Sequence, residues 1–504
     1  MSLVLSLSLL LLSSTNTQEL PEGHSGHGQA FDEGPRQAAY LMPNNGMVHF
    51  PISTEDGYVQ EMFDQGIGQL HGFWYFEAER SFRQVAALDP DCTLAYFGMA
   101  MANRENPGRA GAFAHEAWLR RDLATEREYL YAQAIARLYD VNREELDPDD
   151  ELETTPTRRS AFLEDLEAIV EAYPDDVEGK ALMVNQYWHD SRDKTMSKSR
   201  REELLQEVLT QRPDHPAHHY RIHLWDEAAT IERAVDSAGQ VGPAWPSVAH
   251  QWHMGGHVYD RLDRYLDAAW QQEASARVDH AHMRRDLVLP DRIHNFAHNN
   301  EWLNRSLRKA GRARYAIELA KNAIEIPRHP RWNGPDIASS SAQYGPGYLL
   351  ATLDEFELWE ELIALSSSPY FDEQVDEAQQ VERAYLLGKA HAFLADDDGF
   401  DEALFQLEEY AADAQTSRVR RDAEGRMAIL STLFDALGGR DVEESLEVLE
   451  DEDLDDLTLA RLCTQVDVPE EAQKFARKLV DQYAGRALPL ATLAHALERG
   501  GRHA

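Results

Sequence analysis

The chain has 504 residues with 43% hydrophobic content, enough to bury a large core, so disorder throughout is excluded. Its 89 acidic residues against 49 basic ones give a formal net charge of -40, a field that repels phosphate and disfavours nucleic acid or an anionic membrane as partner. Two cysteines far apart in the chain, Cys92 and Cys463, exclude a disulfide framework and a thiolate metal site.

In chain order, the apolar run 3–12, followed by Ser13, Ser14 and Thr15, reads as an export signal over residues 1–17. It is too short to span a bilayer comfortably, and no later segment looks transmembrane, so a periplasmic or secreted protein is expected. Residues 18–58 are rich in Gly, Pro and polar types, with His24-Ser25-Gly26-His27-Gly28 among them, and predict a flexible arm. From 59 to 326 the pattern is helical, with few alternating strand-like runs. The charged stretch 147–160, DPDDELETTPTRRS, predicts a surface loop inserted into it. Prolines 327, 330, 335 and 346 predict a helix-free loop over 327–347, either beside a binding face or between domains. The helical pattern resumes over 348–504. Within it, 447–456 is strongly acidic but lacks the Gly and the ligand spacing of a calcium loop, and reads as an exposed face.

Histidine is unevenly placed. Residues 215–298 hold 11 of the chain's 21 histidines, and three pairs stand four apart: His219 and His223, His253 and His257, His294 and His298. Residues i and i+4 lie one above the other on a helix, so each pair can grip one ion from a single face. His250 joins His253 and His257 in a stripe about 60° wide at about 100° per residue. Imidazole donors without thiolate suit copper, iron or zinc. Asp226, Glu227, Asp260, Asp291 and Glu301 stand close in sequence, either as ligands, as groups orienting the far ring nitrogen, or as solvated helix surface. His215, His218, His280 and His282 share the window without suitable spacing, and imidazoles also line grooves that take acidic peptides. Trp74, Tyr75, Phe76, Trp225, Trp252, Trp270 and Trp302 could hold a ligand, although aromatics at helical spacing are usually core. No phosphate-cradling Gly-rich loop, H-E-x-x-H helix, nucleophile elbow or C-x-x-C is present.

The segment GIGQLHGFWYFEAERSFRQVAALDP sets Gly66, Ala78, Phe82 and Pro90 at tetratricopeptide spacings, and Ala95-Tyr96-Phe97-Gly98-Met99-Ala100 opens a second unit. Weaker fragments follow around Ala268 and Ala316, with Asp263 where the pattern has Gly. The chain thus resembles the tetratricopeptide-repeat family. The resemblance implies an all-α, right-handed helical-repeat superhelix, an α-solenoid, with a concave face lined by the first helix of each pair. It places His250, His253 and His257 on that face and the other two pairs on neighbouring first helices. The stretch His253-Met254-Gly255-Gly256-His257, with Ile222-His223 before it and His298-Asn299 after, is similar to an exported bacterial subgroup of these proteins. That similarity implies a shared site and supplies no reaction. The expectation is a transition-metal site built from His219, His223, His250, His253, His257, His294 and His298, in which His223, His253, His257 and His298 share an ion, with metal-dependent oxidoreductase activity in view. The alternative is a non-enzymatic scaffold whose groove binds a peptide or partner protein.

Overall fold

The computed structural model describes residues 38–501 apart from 44–45, 142–154, 190–195, 294, 331–332, 336, 338–339, 372–375 and 484. Among the described residues all regular structure is helical, with no strand. The helices are α1 Gly57–His71, α2 Tyr75–Leu88, α3 Thr93–Ala102, α4 Pro107–Leu119, α5 Glu126–Leu138, α6 Thr155–Ala172, α7 Val177–His189, α8 Lys198–Gln211, α9 His218–Trp225, α10 Val235–Ala244, α11 Ala249–Arg261, α12 Tyr265–Asp286, α13 Phe296–Lys309, α14 Ala313–Glu325 and α15 Ser341–Glu355. Eight more follow: α16 Trp359–Leu365, α17 Glu377–Phe393, α18 Asp397–Asp413, α19 Ser417–Leu437, α20 Val442–Asp451, α21 Asp456–Gln465, α22 Pro469–Gln482 and α23 Ala487–Arg499. Most helices pack on the next one in the chain, and α11 also touches α9 and α13, so the molecule is an α-solenoid of tetratricopeptide-like pairs. None of the described helices is long and apolar enough to cross a membrane.

One turn recurs along the solenoid. Phe73, Asp263, Gly311, Glu357, Ala395, Gly439 and Asp467 all have positive φ, and each sits between the two helices of a pair. The next residue's N–H reaches back five positions, as from Trp74 to Gln69, Arg264 to Tyr259 and Arg312 to Leu307, which closes the first helix with a Schellman-type cap. Asp263 holds φ +57 where the repeat pattern has Gly, a substitution that a short polar side chain tolerates. Within the first pair, a Cβ at Gly66 would lie 2.5 Å from the Phe82 ring, so glycine sets how closely α1 and α2 approach. Two large apolar cores result, one drawing on residues from Met42 to Val258 and the other on residues from Ile317 to Ala496.

Three expectations are corrected. The segment before α1 is not a loose arm where it is described: Met42, Val48 and Phe50 are buried, and the ring of Phe50 packs against Phe63 and Tyr131. Its backbone N–H groups at Met42, Phe50, Ile52 and Ser53 are taken by the side chains of Gln65, Asp64, Gln60 and Glu128, which is why a polar, Pro-containing stretch lies down without forming a strand. The predicted loop 147–160 is helical from Thr155 onward. The predicted break at 327–347 ends early, because Ser340 caps α15 by accepting the N–H of Gln343, and the helix then runs through Pro346. The signal segment and His24 to Gly28 lie outside the described residues.

Candidate metal centre

Three short stretches of solenoid bring the imidazoles together. α9 carries His219 and His223, α11 carries His250, His253 and His257, and α13 carries His298. His294 lies outside the described residues. The side chains fall into two sets of three whose ligand nitrogens lie within 4.8 Å of one another: His219, His223 and His250, then His253, His257 and His298. The expected grouping of His223 with His253, His257 and His298 is therefore redistributed, since the α9 pair takes up His250 from the neighbouring helix. The sets adjoin, the rings of His250 and His253 being 5.3 Å apart.

Hydrogen bonds fix how His253 and His219 are protonated. His253 Nδ1 lies 2.8 Å from Gln272 Oε1, and Gln272 Nε2 donates to the His253 carbonyl at 3.2 Å, which settles which end of the amide is the oxygen. His253 therefore carries its hydrogen on Nδ1 and presents a bare Nε2. His257 Nδ1 lies 3.3 Å from Asp226 Oδ2 without the alignment of a hydrogen bond, so that contact does not set which His257 nitrogen carries the hydrogen. The Nε2 atoms of His253 and His257 are 2.8 Å apart. In the other set, His219 Nδ1 donates at 2.8 Å to the carbonyl of His71, the last residue of α1, where no intrahelical donor competes for it. Its bare Nε2 faces His223 Nε2 at 3.0 Å. For bonds of about 2.0 to 2.1 Å, such nitrogen separations correspond to an angle of about 90° at a shared ion, a cis pair.

Burial keeps three of these rings neutral. Burial pushes the His219 pKa down to about 3 and lowers those of His223 and His253 well below the ordinary value. Burial works to raise the Asp226 pKa, but the neighbouring His257 ring and the Arg261 guanidinium outweigh it and bring the carboxyl down to about 2. Aromatic rings wall the sets. Trp302 stacks on His257 at 4.0 Å, and Phe73 lies 4.3 Å from His219 and 5.7 Å from His250. Phe73 occupies the positive-φ turn position that Gly311 and Gly439 fill elsewhere, a costly conformation for a bulky residue that delivers the ring into the cluster. Gly256, inside the His-Met-Gly-Gly-His run, admits Gln272: a Cβ there would meet its Nε2 at 2.2 Å.

The carboxylates divide. Asp226 lies 3.3 Å from His257, and Glu301 lies 3.7 Å from His298. Asp260 pairs with Lys309, Glu227 with Lys198, and Asp291 accepts the N–H of His329. A further set, His71, Glu178 and His215, was not singled out in the sequence and is closed by its own hydrogen bonds. Asn185 donates to the Tyr220 hydroxyl, whose own hydrogen goes to His71 Nδ1, and the Ala217 N–H occupies His215 Nδ1. Both Nε2–H groups then point at Glu178, at 2.8 and 3.2 Å, and the carboxylate is held below its usual range despite burial. His218 and His280 bond to Ser237 and to the Ala276 carbonyl, and His282 contacts Asp286 at 3.0 Å.

No protein-family model and no curated protein sequence matches the chain. Among solved structures it is similar to the Cut9–Hcn1 hetero-tetramer of APC/C, at 13% identity and a TM-score of 0.30, over 88% of this chain and 78% of that one. The human IFIT1 dimer with m7Gppp-AAAA matches at 11% identity and a TM-score of 0.30, over 86% and 96%. These chains superpose loosely, and nothing about ligands or partners passes from them to this protein.

Proposed function

We propose that the chain is a helical-repeat metalloprotein that holds one transition-metal ion in each three-histidine set and uses the pair for redox chemistry. The observation that carries this reading is the convergence of the His253, His257 and His298 ligand nitrogens within 4.8 Å of one another, with His253 Nε2 left bare because its Nδ1–H is held by Gln272. His257 Nε2 stands 2.8 Å from that bare nitrogen, so a cation bound there can replace the hydrogen shared between the two rings and take both as ligands. Three neutral imidazoles leave an open coordination position for a small molecule. A largely buried set of nitrogen donors also favours an ion of low charge and high nitrogen affinity, which places copper ahead of iron and zinc. Export through the apolar run 3–12 belongs to the same proposal. The test is to strip the purified chain, load it separately with copper, iron and zinc, and count bound ions. Two copper ions per chain are expected, and H253A should lose one. A folded chain that binds none of the three metals ends the reading.

A second reading, a scaffold that binds a peptide, has its own observation. A groove of about 590 Å³ in the C-terminal half has leucines such as Leu350, Leu386 and Leu454 in its wall and is lined by both signs of charge, with Arg383 and Lys478 among carboxylates such as Asp354 and Glu382. It shares α13 with His298 through Arg308, and the two readings are compatible.

A further inference from the structure

A cavity of about 120 Å³ lies among α4, α6 and the end of α7, lined by Arg104, Arg158, Arg159, His189, Tyr139 and Leu138. In a chain of net charge -40, three guanidinium groups converging on one small cavity are out of character. Arg158 is partly neutralised by Asp140 at 3.1 Å, and the exposed Glu105 lies at the rim. Arg104 is different: its guanidinium donates to the amide oxygens of Asn185, at 3.1 Å, and Gln186, which fix its direction without cancelling its charge. Among the described residues neither Arg104 nor Arg159 has a carboxylate within ion-pair distance. Burial, first, and the like charge of Arg159 act to lower the Arg104 pKa and outweigh Tyr139, Tyr75 and Glu105, so among the described residues the two cations are incompletely compensated.

The cavity adjoins the first histidine set. His189 forms part of its wall, and its ring lies 4.9 Å from Trp188 and 5.5 Å from Phe73. Those two aromatic rings are in turn 4.7 and 6.0 Å from His223. The Tyr75 hydroxyl stands 3.3 Å from His189 Nε2.

We propose that this cavity is an oxyanion subsite that receives a carboxylate or phosphate group of the molecule on which the histidine centre acts. Arg104 supplies the main contact, because its planar fork is already oriented by two amides, and Arg159 supplies a second charge from the rim. The link to the centre's substrate rests on the metal reading; the subsite itself does not.

The experiment is calorimetric titration of inorganic phosphate, and separately of acetate, into the metal-free full chain at low ionic strength. Measurable binding of at least one probe is expected, with phosphate or acetate preferred according to which group the subsite takes. Arg104→Gln should weaken it roughly tenfold or more, the loss of a charge-assisted hydrogen bond. Arg159→Gln, at an exposed position that should not disturb folding, should weaken it about two- to fivefold. Absence of binding by the wild-type chain, or binding that the folded Arg159→Gln variant leaves unchanged, overturns the proposal. Failure of the chain to take up metal would leave this titration unaffected, so the two claims fail separately.

Discussion

Gln272→Leu removes one acceptor from the candidate centre without touching an imidazole. In the native chain Gln272 Oε1 holds His253 Nδ1–H at 2.8 Å, and the same amide's nitrogen donates to the His253 carbonyl at 3.2 Å. Leucine has a similar size and fits the space left by Gly256, so the fold loses about 1 kcal/mol for each hydrogen bond and little packing. The larger effect is on the ring. Without its acceptor, His253 can place the hydrogen on Nε2 or rotate, and loss of such an orienting partner costs about 10- to 100-fold in metal affinity, or about 1.4 to 2.7 kcal/mol. Gln271→Leu, one residue earlier on α12 and packed against Gly255 instead, is the matched control and should leave affinity unchanged. Competition against a metal chelator, with circular dichroism to confirm helicity, measures both. A folded Gln272→Leu chain with wild-type affinity would refute the orienting role.

Gly66→Ala puts a Cβ 2.5 Å from the Phe82 ring, and the overpacking should destabilise the chain by about 1 to 3 kcal/mol in urea unfolding, whereas an unchanged midpoint would contradict the close α1–α2 contact. In the metal-free chain, burial holds the His219 pKa at about 3 against 6.5 when unfolded. The unfolded chain then binds the proton first, so this contribution is intact above pH 6.5 and is lost as pH falls toward 3, at about 1.4 kcal/mol per pH unit. His223 and His253 shift the same way, and urea midpoints at pH 7.5, 6 and 5 should fall in that order; a flat profile would count against buried neutral rings. Burial pushes the thiols of Cys92 and Cys463 up to about 12, so both should resist a thiol reagent in the native chain at pH 8 and react after denaturation, while rapid native labelling would show that they are reached by solvent.

The repeat architecture was legible because its signals are local. Small residues at Gly66 and Ala78, an aromatic at Phe82 and a proline at 90 encode one helix pair, and the structure realises that pair with Ala78 and Phe82 fully buried. The i,i+4 spacing likewise located five of the six described imidazoles of the candidate centre, and His250 came from the stripe it shares with His253 and His257. How they divide was not legible, because the assignment of His250 to the His219 set depends on the offset between α9 and α11, which no local pattern records. Gln272 and Phe73 were missed for a related reason: one reaches His253 across a helix contact, and the other comes from a turn far back in the chain. The set His71, Glu178 and His215 joins three distant helices or turns and carries no spacing signature at all. The ordered segment before α1 misled because its composition is that of a loop, while Met42, Val48 and Phe50 are spaced irregularly and still reach the core.

Crystals of the copper-loaded chain, measured at the copper absorption edge, address the central claim most directly. The account predicts two anomalous peaks, one about 2.0 to 2.1 Å from His253 Nε2 and His257 Nε2 with His298 alongside, and one at the same distance from His219 Nε2 and His223 Nε2 with His250 alongside. Peaks confined to other residues, or none in crystals grown with excess copper, would contradict it.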